Sequence, residues 1–208
     1  MTKLLIILLA ICSISAHAED NLNRAMLKAA EAGDVATVQH ALDKGIGVNA
    51  LTRKDGTGLN LAAKAGHANV VKLLLDNDAA VNSRDVMRVT PLIAAAFGGH
   101  VEIVKMLLAK NADVAVRDNT DKTALDYAAG NGNPDIVRLL LDKGANANDT
   151  NLNGVTPLMW AAANGNVVVV QMLLDKSVDK SHADDHGMTA YSYALEGKHQ
   201  AALELLAP

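Results

Sequence analysis

Thr57-Gly58-Leu59-Asn60-Leu61-Ala62-Ala63, Thr90-Pro91-Leu92-Ile93-Ala94-Ala95-Ala96, Thr123-Ala124-Leu125-Asp126-Tyr127-Ala128-Ala129 and Thr156-Pro157-Leu158-Met159-Trp160-Ala161-Ala162 are versions of one phrase, and Thr189 opens another. The threonines recur every 33 residues, a period that marks a chain built by copying one small supersecondary unit. Each threonine suits a helix N-cap, because its hydroxyl can accept from amides left without partners in the first turn. Pro91 and Pro157 fall at the first helical position, where a missing N–H costs nothing. Counted from the threonine, the residues at +2, +5, +6 and +9 are small or apolar, the spacing of one buried helix face.

The rest of the unit keeps the same step. Nine residues after the threonine stand Gly66, Gly99, Gly132 and Gly165, followed by His67, His100, Asn133 and Asn166. An aliphatic run comes next, such as Val70-Val71-Lys72-Leu73-Leu74-Leu75, and then a loop such as Gly45-Ile46-Gly47-Val48-Asn49, Asp78-Ala79-Ala80-Val81-Asn82, Asn111-Ala112-Asp113-Val114-Ala115 or Gly144-Ala145-Asn146-Ala147-Asn148. These marks resemble the T-P-L-H-x-A-A, G-H and G-A-D-V-N signatures of ankyrin repeats, from about residue 22 onward. The resemblance implies an all-α solenoid of six helix-turn-helix units joined by hairpin-like loops, with repeats at about 22–54, 55–87, 88–120, 121–153, 154–186 and 187–208. No unit can bury its apolar face alone, so stability depends on stacking.

Both ends deviate. Arg24 replaces the threonine of the first repeat, although Ala29-Ala30, Gly33 and Val38 keep the register, and this repeat reads as an N-terminal cap behind a polar lead-in. In the last repeat Tyr191 takes the leucine position and Lys198 the glycine position, as in a C-terminal cap. The hairpin motif D-x-x-G-x-T survives only in part: Gly154 and Gly187 are in register, but Arg88 and Asp121 stand at the equivalent places, so an altered hairpin is expected there.

Residues 1–18 read as a different object. Lys3 supplies a charged start, Leu4 to Ile11 an apolar core too short to cross a bilayer as a helix, and Ala16-His17-Ala18 a small-residue cleavage site. This is the pattern of a secretory signal peptide, leaving residues 19–208 as the repeat domain. An ordinary core helix is the competing reading, and the abrupt change to Glu19-Asp20 weighs against it. A lipid-modified Cys12 is another, and the large Ile11 before it weighs against that. Cys12 is the one cysteine, so the processed chain forms no disulfide; a short signal and a thiol-free body point to a bacterial periplasm, with secretion as the alternative.

Charge and motif content narrow the function. The formal net charge is −4 and no basic stripe appears, which argues against nucleic acid. No later segment is apolar for long enough to span a membrane. Serines form no nucleophile elbow, and the glycines fall at turns of the repeat. His182-Ala183-Asp184-Asp185-His186 is the densest group of potential metal ligands, but it lies at a hairpin tip where the family carries solvated polar residues; no metal and no cofactor is expected. His67, His100 and His199 recur with the repeat, which points to a structural hydrogen bond. The chain therefore reads as a non-catalytic, monomeric binding module.

The binding face follows from helix geometry. With +2, +5, +6 and +9 inward, positions +4, +7 and +8 lie on the opposite side of the first helix at ~100° per residue, the side that the resemblance places on a concave groove. Phe97, Tyr127, Trp160 and Tyr193 fall there, with Asn131 and Asn164 beside them. Rigid aromatics are enriched in binding hot spots, so these six are the expected partner contacts; mutual packing that stiffens the array is the competing reading. Hairpin residues Arg53, Lys54, Val86, Met87, Val89, Leu152 and Val155 extend the surface. The expected partner is a protein, whether a periplasmic enzyme that this chain protects or scaffolds, a toxin or hydrolase that it neutralises, or a host protein reached after export.

Overall fold

The computed structural model describes residues 20–52 and 56–207, so the expected signal peptide, Cys12, Arg53 and Lys54 lie outside it. Helices come in six successive pairs: α1 (20–32) and α2 (Val35–Asp43), α3 (Gly58–Ala65) and α4 (Ala68–Asp76), α5 (Pro91–Phe97) and α6 (Val101–Ala109), α7 (Ala124–Gly130) and α8 (Pro134–Asp142), α9 (Pro157–Ala163) and α10 (Val167–Leu174), α11 (Ala190–Glu196) and α12 (Gln200–Leu206). This is the all-α solenoid expected. The lead-in is already helical from residue 20, where Asp20 pairs with Arg24 at 2.8 Å.

All five threonines cap the helices they precede. Their side chains accept from the amides of Asn60, Ile93, Asp126, Met159 and Ser192. The second helices begin differently. His67, His100, Asn166 and His199 hold the N-cap position without capping, because their side chains reach back to the preceding repeat. His67 Nε2 meets Glu31 O at 2.9 Å, His199 Nε2 meets Ala163 O at 3.1 Å, and Asn166 Nδ2 donates to Gly130 O at 2.7 Å. The periodic histidines thus tie repeat to repeat, as their recurrence implies.

One continuous core runs the length of the stack. Leu59, Leu92, Leu125 and Leu158 and the paired alanines of the first helices are buried, against Val70, Leu74, Ile103, Leu107, Ile136, Leu140, Val170 and Leu173 of the second. At roughly 25 cal/mol per Å², the bulkier second-helix residues bury most of the stabilising area. Alanines let successive first helices, hereafter the inner helices, approach more closely than the second, or outer, helices do. In the last repeat Tyr191 and Leu195 stand exposed where their counterparts Leu158 and Ala162 are buried, since no further helix covers them among the described residues.

The four hairpins from Asp85 onward keep one geometry, contrary to the expectation for the middle repeats. Asp85, Asp118, Asn151 and Asp184 each accept two backbone amides through one side-chain oxygen, for example Met87 N at 2.8 Å and Val89 N at 2.9 Å on Asp85. Three residues on, Arg88 and Asp121 adopt φ of 61°, beside 74° at Gly154 and 75° at Gly187. The Asx side chain and the hairpin bonds impose the left-handed turn whether or not glycine occupies it. Neighbouring hairpins are joined as well, with Asn119 N donating to Met87 O at 2.9 Å and Asp185 N to Asn153 O at 3.1 Å.

Candidate functional site

Phe97, Tyr127, Trp160 and Tyr193 lie on successive inner helices, Phe97 exposed and the other three partly buried against the core. Leu61 and Ala94, at the same +4 position as Tyr127, Trp160 and Tyr193, are buried in a crevice beside Asp85 and Val89 of the hairpin, so this position reaches the surface only where a larger side chain fills it. Val155 is also buried, whereas Val86, Met87 and Leu152 project from the hairpins into solvent.

Phe97 ends α5 with 60 % of its surface exposed. Its ring meets Tyr127 edge to face, centroids 5.4 Å apart and planes at 88°, the arrangement that the ring quadrupoles favour. Lys122 Nζ lies 5.4 Å from the Tyr127 ring and 3.9 Å from the Trp160 ring, joining the two by cation–π attraction. Phe97, Tyr127, Lys122 and Trp160 therefore form one unbroken surface over three repeats. Tyr193 stands apart from it. The two asparagines have their amides engaged within the stack: Asn131 Nδ2 donates to Phe97 O at 2.8 Å and Asn164 Nδ2 to Trp160 O at 3.0 Å. They position the stripe's backbone.

Both tyrosines also carry a structural bond. Tyr127 donates to Asp118 Oδ2 and Tyr193 to Asp184 Oδ2, each at 2.6 Å, so helix and hairpin are locked together through the aspartate that shapes the hairpin. Burial opposes ionisation of Asp118, but the Tyr127 and Thr120 hydroxyls and the hairpin amides outweigh it and hold the carboxyl below its ordinary range. The Tyr193 hydroxyl does the same for Asp184. In turn burial and the bond to Asp184 push the Tyr193 phenol up to about 12. Beside Tyr127, Asp126 is buried and accepts from Thr123 N and Thr123 Oγ1, both at 2.8 Å; burial dominates there and raises its pKa to about 6.

The cluster at the last hairpin is taken up by the same scheme. Asp184 is a buried turn former, not a solvated tip residue, and His182 Nε2 contacts Gly154 O at 3.0 Å. Among the described residues no three histidines, cysteines or carboxylates come together as a metal site. No described helix is long and apolar enough to cross a membrane.

Between α3, α5 and the hairpin of Asp85 lies an open recess of about 240 Å³, lined by Lys64, Asp85, Met87, Val89, Phe97 and Tyr127 among others. Lys64, which lines this recess, and Lys122, which lies over the two rings, are not among the contacts expected from sequence. The repeat register carried a signal for the second: the residue preceding each threonine is Gly56, Val89, Lys122, Val155 or Met188, and a single cation occupies that column.

Comparison with known families bears on what such a face does. The family described as Ankyrin repeats (3 copies) matches in overlapping segments, residues 2–85, 26–118, 87–151 and 125–208. The chain belongs to the ankyrin-repeat family, whose stacked units are protein–protein interaction modules and typically lack catalytic activity. Comparison with curated proteins gives no match.

Proposed function

We propose that this chain is a periplasmic, non-catalytic binding protein that holds a protein partner against its inner helices and hairpin tips, protecting or scaffolding a periplasmic enzyme. The observation that carries the reading is Phe97: a large apolar ring, mostly in solvent, set edge-on against Tyr127 over an apolar recess. A chain with a continuous buried core gains little from such exposure unless a partner covers it. Residues 1–18 direct export and are removed, leaving Glu19 as the first residue of the working protein. Phe97, Tyr127, Trp160 and Tyr193 form the contact face, with Asn131 and Asn164 flanking it.

Phe97→Ala is the cleanest test, because Tyr127→Ala and Tyr193→Ala would also strip a buried aspartate of its hydroxyl donor. A partner captured from the native periplasm should bind this variant at least tenfold more weakly, as expected when an aromatic anchor worth ~1.4 kcal/mol or more is removed. Lys105→Ala with Arg138→Ala on the outer helices, where both side chains sit in exposed ion pairs, should leave affinity unchanged. The opposite pattern would move the binding face to the convex side. Intact mass of the exported protein checks the processing: it should begin at Glu19, and a mass retaining Met1 or a lipid on Cys12 would refute that part.

A further inference from the structure

The charges around the recess carry the reading of the groove one step further. Lys64 lies on one wall and Arg88 on the hairpin of Asp85, and Lys122 lies over the Tyr127 and Trp160 rings. Among the described residues Lys64, Arg88 and Lys122 have no ion-pair partner, whereas Lys72, Lys105 and Arg138 of the outer helices are each paired with a carboxylate. Asp85 also lines the recess, but its Oδ1 is held by the amides of Met87 and Val89. Along the inner helices the +7 column reads Glu31, Lys64, Phe97, Gly130, Ala163, Glu196, so the cationic stretch is bounded by acids at both ends of the array.

We infer that the recess takes one apolar side chain from an acidic, extended segment of the protein partner, whose carboxylates reach Lys64 and Lys122 on either side. The inference rests on the proposed binding face. A space of about 240 Å³ is below the roughly 300–1,000 Å³ of small-molecule sites and suits a single side chain. Cations left unpaired at the rim of an apolar patch steer an oppositely charged partner and reject a like-charged one. A long polyanion is disfavoured, because it would run onto Glu31 and Glu196. Lys122 need not be displaced far: its ammonium exchanges a ring face for a carboxylate, and the Trp160 indole beneath it loses or keeps the cation accordingly.

Trp160 is the sole tryptophan, so its emission reports on Lys122 directly. The probes are three synthetic nonapeptides: a central Leu flanked by Asp and Glu, the same peptide with Gly at the centre, and a central Leu flanked by Lys. The acidic Leu peptide should change Trp160 emission saturably, with an affinity that falls as salt is added. Binding should weaken at least tenfold with the Gly centre, with Phe97→Ala, and with Lys64→Glu plus Lys122→Glu, and the Lys-flanked peptide should give no saturable change. Both lysines sit outside the core, and Lys122→Met, which keeps the stem over Trp160 without the charge, guards against a folding artefact and should weaken binding in the same direction. Equal binding of acidic and basic peptides, unchanged affinity in the charge-reversed protein, or no saturable change with the acidic peptide would overturn the inference. If a captured partner loses affinity with Phe97→Ala but not with Lys64→Glu plus Lys122→Glu, the groove stands and the acidic segment does not; indifference to both removes the groove as well. Concentration-dependent dimers that Phe97→Ala abolishes would make a second copy of this chain the occupant instead.

Discussion

Gly132 and Lys198 occupy the same place in their repeats and meet opposite fates. Gly132 has φ of +68°, and an added Cβ would stand 2.5 Å from Asn166 Oδ1, the side chain whose amide ties the fifth repeat to the fourth. Gly132→Val should therefore cost more than the ~1–2 kcal/mol of left-handed strain alone, because the tie is broken too. Lys198 carries that strain already, at φ of 59°. Lys198→Gly should stabilise the chain by up to about 1 kcal/mol, read as a higher urea midpoint; a lower midpoint would mean that its side chain contributes more than its backbone costs. A second substitution follows from the loops. Asn49, Asn82 and Asn148 each accept an amide from the next repeat, those of Ala80, Asp113 and Asp179, at 2.7, 2.9 and 3.0 Å. Ala115 holds the equivalent place, and Ala115→Asn should supply the missing acceptor to Asn146 N and raise the urea midpoint by an amount worth ~1 kcal/mol.

In α7 an element-wide conflict is concentrated in one carboxylate. Asn60 of α3 and Asp126 of α7 are both buried and both accept from the threonine that caps their helix. Asn60 adds two donated bonds, to Ser83 O at 3.2 Å and Val89 O at 3.1 Å, and the equivalent carbonyls near Asp126 belong to Asp149 and Val155. A carboxylate has no proton to offer them, and burial raises its pKa from 3.8 to about 6. The sign follows from proton uptake. Between pH ~4 and ~6 the folded chain binds the proton and the unfolded chain does not, so this group's contribution to stability falls as pH rises through that window and stays low above it. Asp126→Asn should be more stable than the native chain at pH 8, by an amount on the order of 2–3 kcal/mol, and should lose most of that advantage by pH 4.5. Paired urea titrations at the two pH values test it, and an advantage independent of pH would point to some cause other than ionisation. Arg117 joins the hairpins on either side of this helix, bonding Asp121 Oδ2 at 3.1 Å, Asp149 Oδ2 at 2.6 Å and Thr150 O at 2.9 Å. Only a planar fork makes these contacts together.

Across the whole array each repeat contacts its neighbours alone, so stability is a sum of unit and interface terms. Among the described residues, interior pairs have an interface on both sides and the first and last pairs have one. The exposed Tyr191 and Leu195 are the visible consequence at one end. Hydrogen exchange should accordingly be slowest in α5 to α9 and fastest in α1, α2 and α12, in graded steps instead of a single all-or-none opening. Uniform protection along the chain would contradict this description. Because Phe97, Tyr127 and Trp160 lie on α5, α7 and α9, this part of the face should sit on the most persistent part of the stack, which lowers the ordering cost of binding.

Fold and register were legible from the chain because every unit repeats the same local solution. A threonine that caps, a leucine and two alanines on one face, and a glycine at the turn are each set by interactions within a few residues, and copying them every 33 residues leaves little ambiguity. The binding face was legible only as a stripe. That Leu61 and Ala94 lie covered while Phe97 stands open, that Tyr127 and Tyr193 spend their hydroxyls on Asp118 and Asp184, and that Lys122 reaches across two rings depend on how a hairpin folds over the helix that follows it and on the next repeat in the stack. Arg88 and Asp121 make the same point, since as residue types they argue against a left-handed turn and the hairpin bonds around them impose it. Helical phase places a side chain on a face; contacts between separate units settle whether that side chain is exposed, buried or already bonded, and period alone carries no information about them.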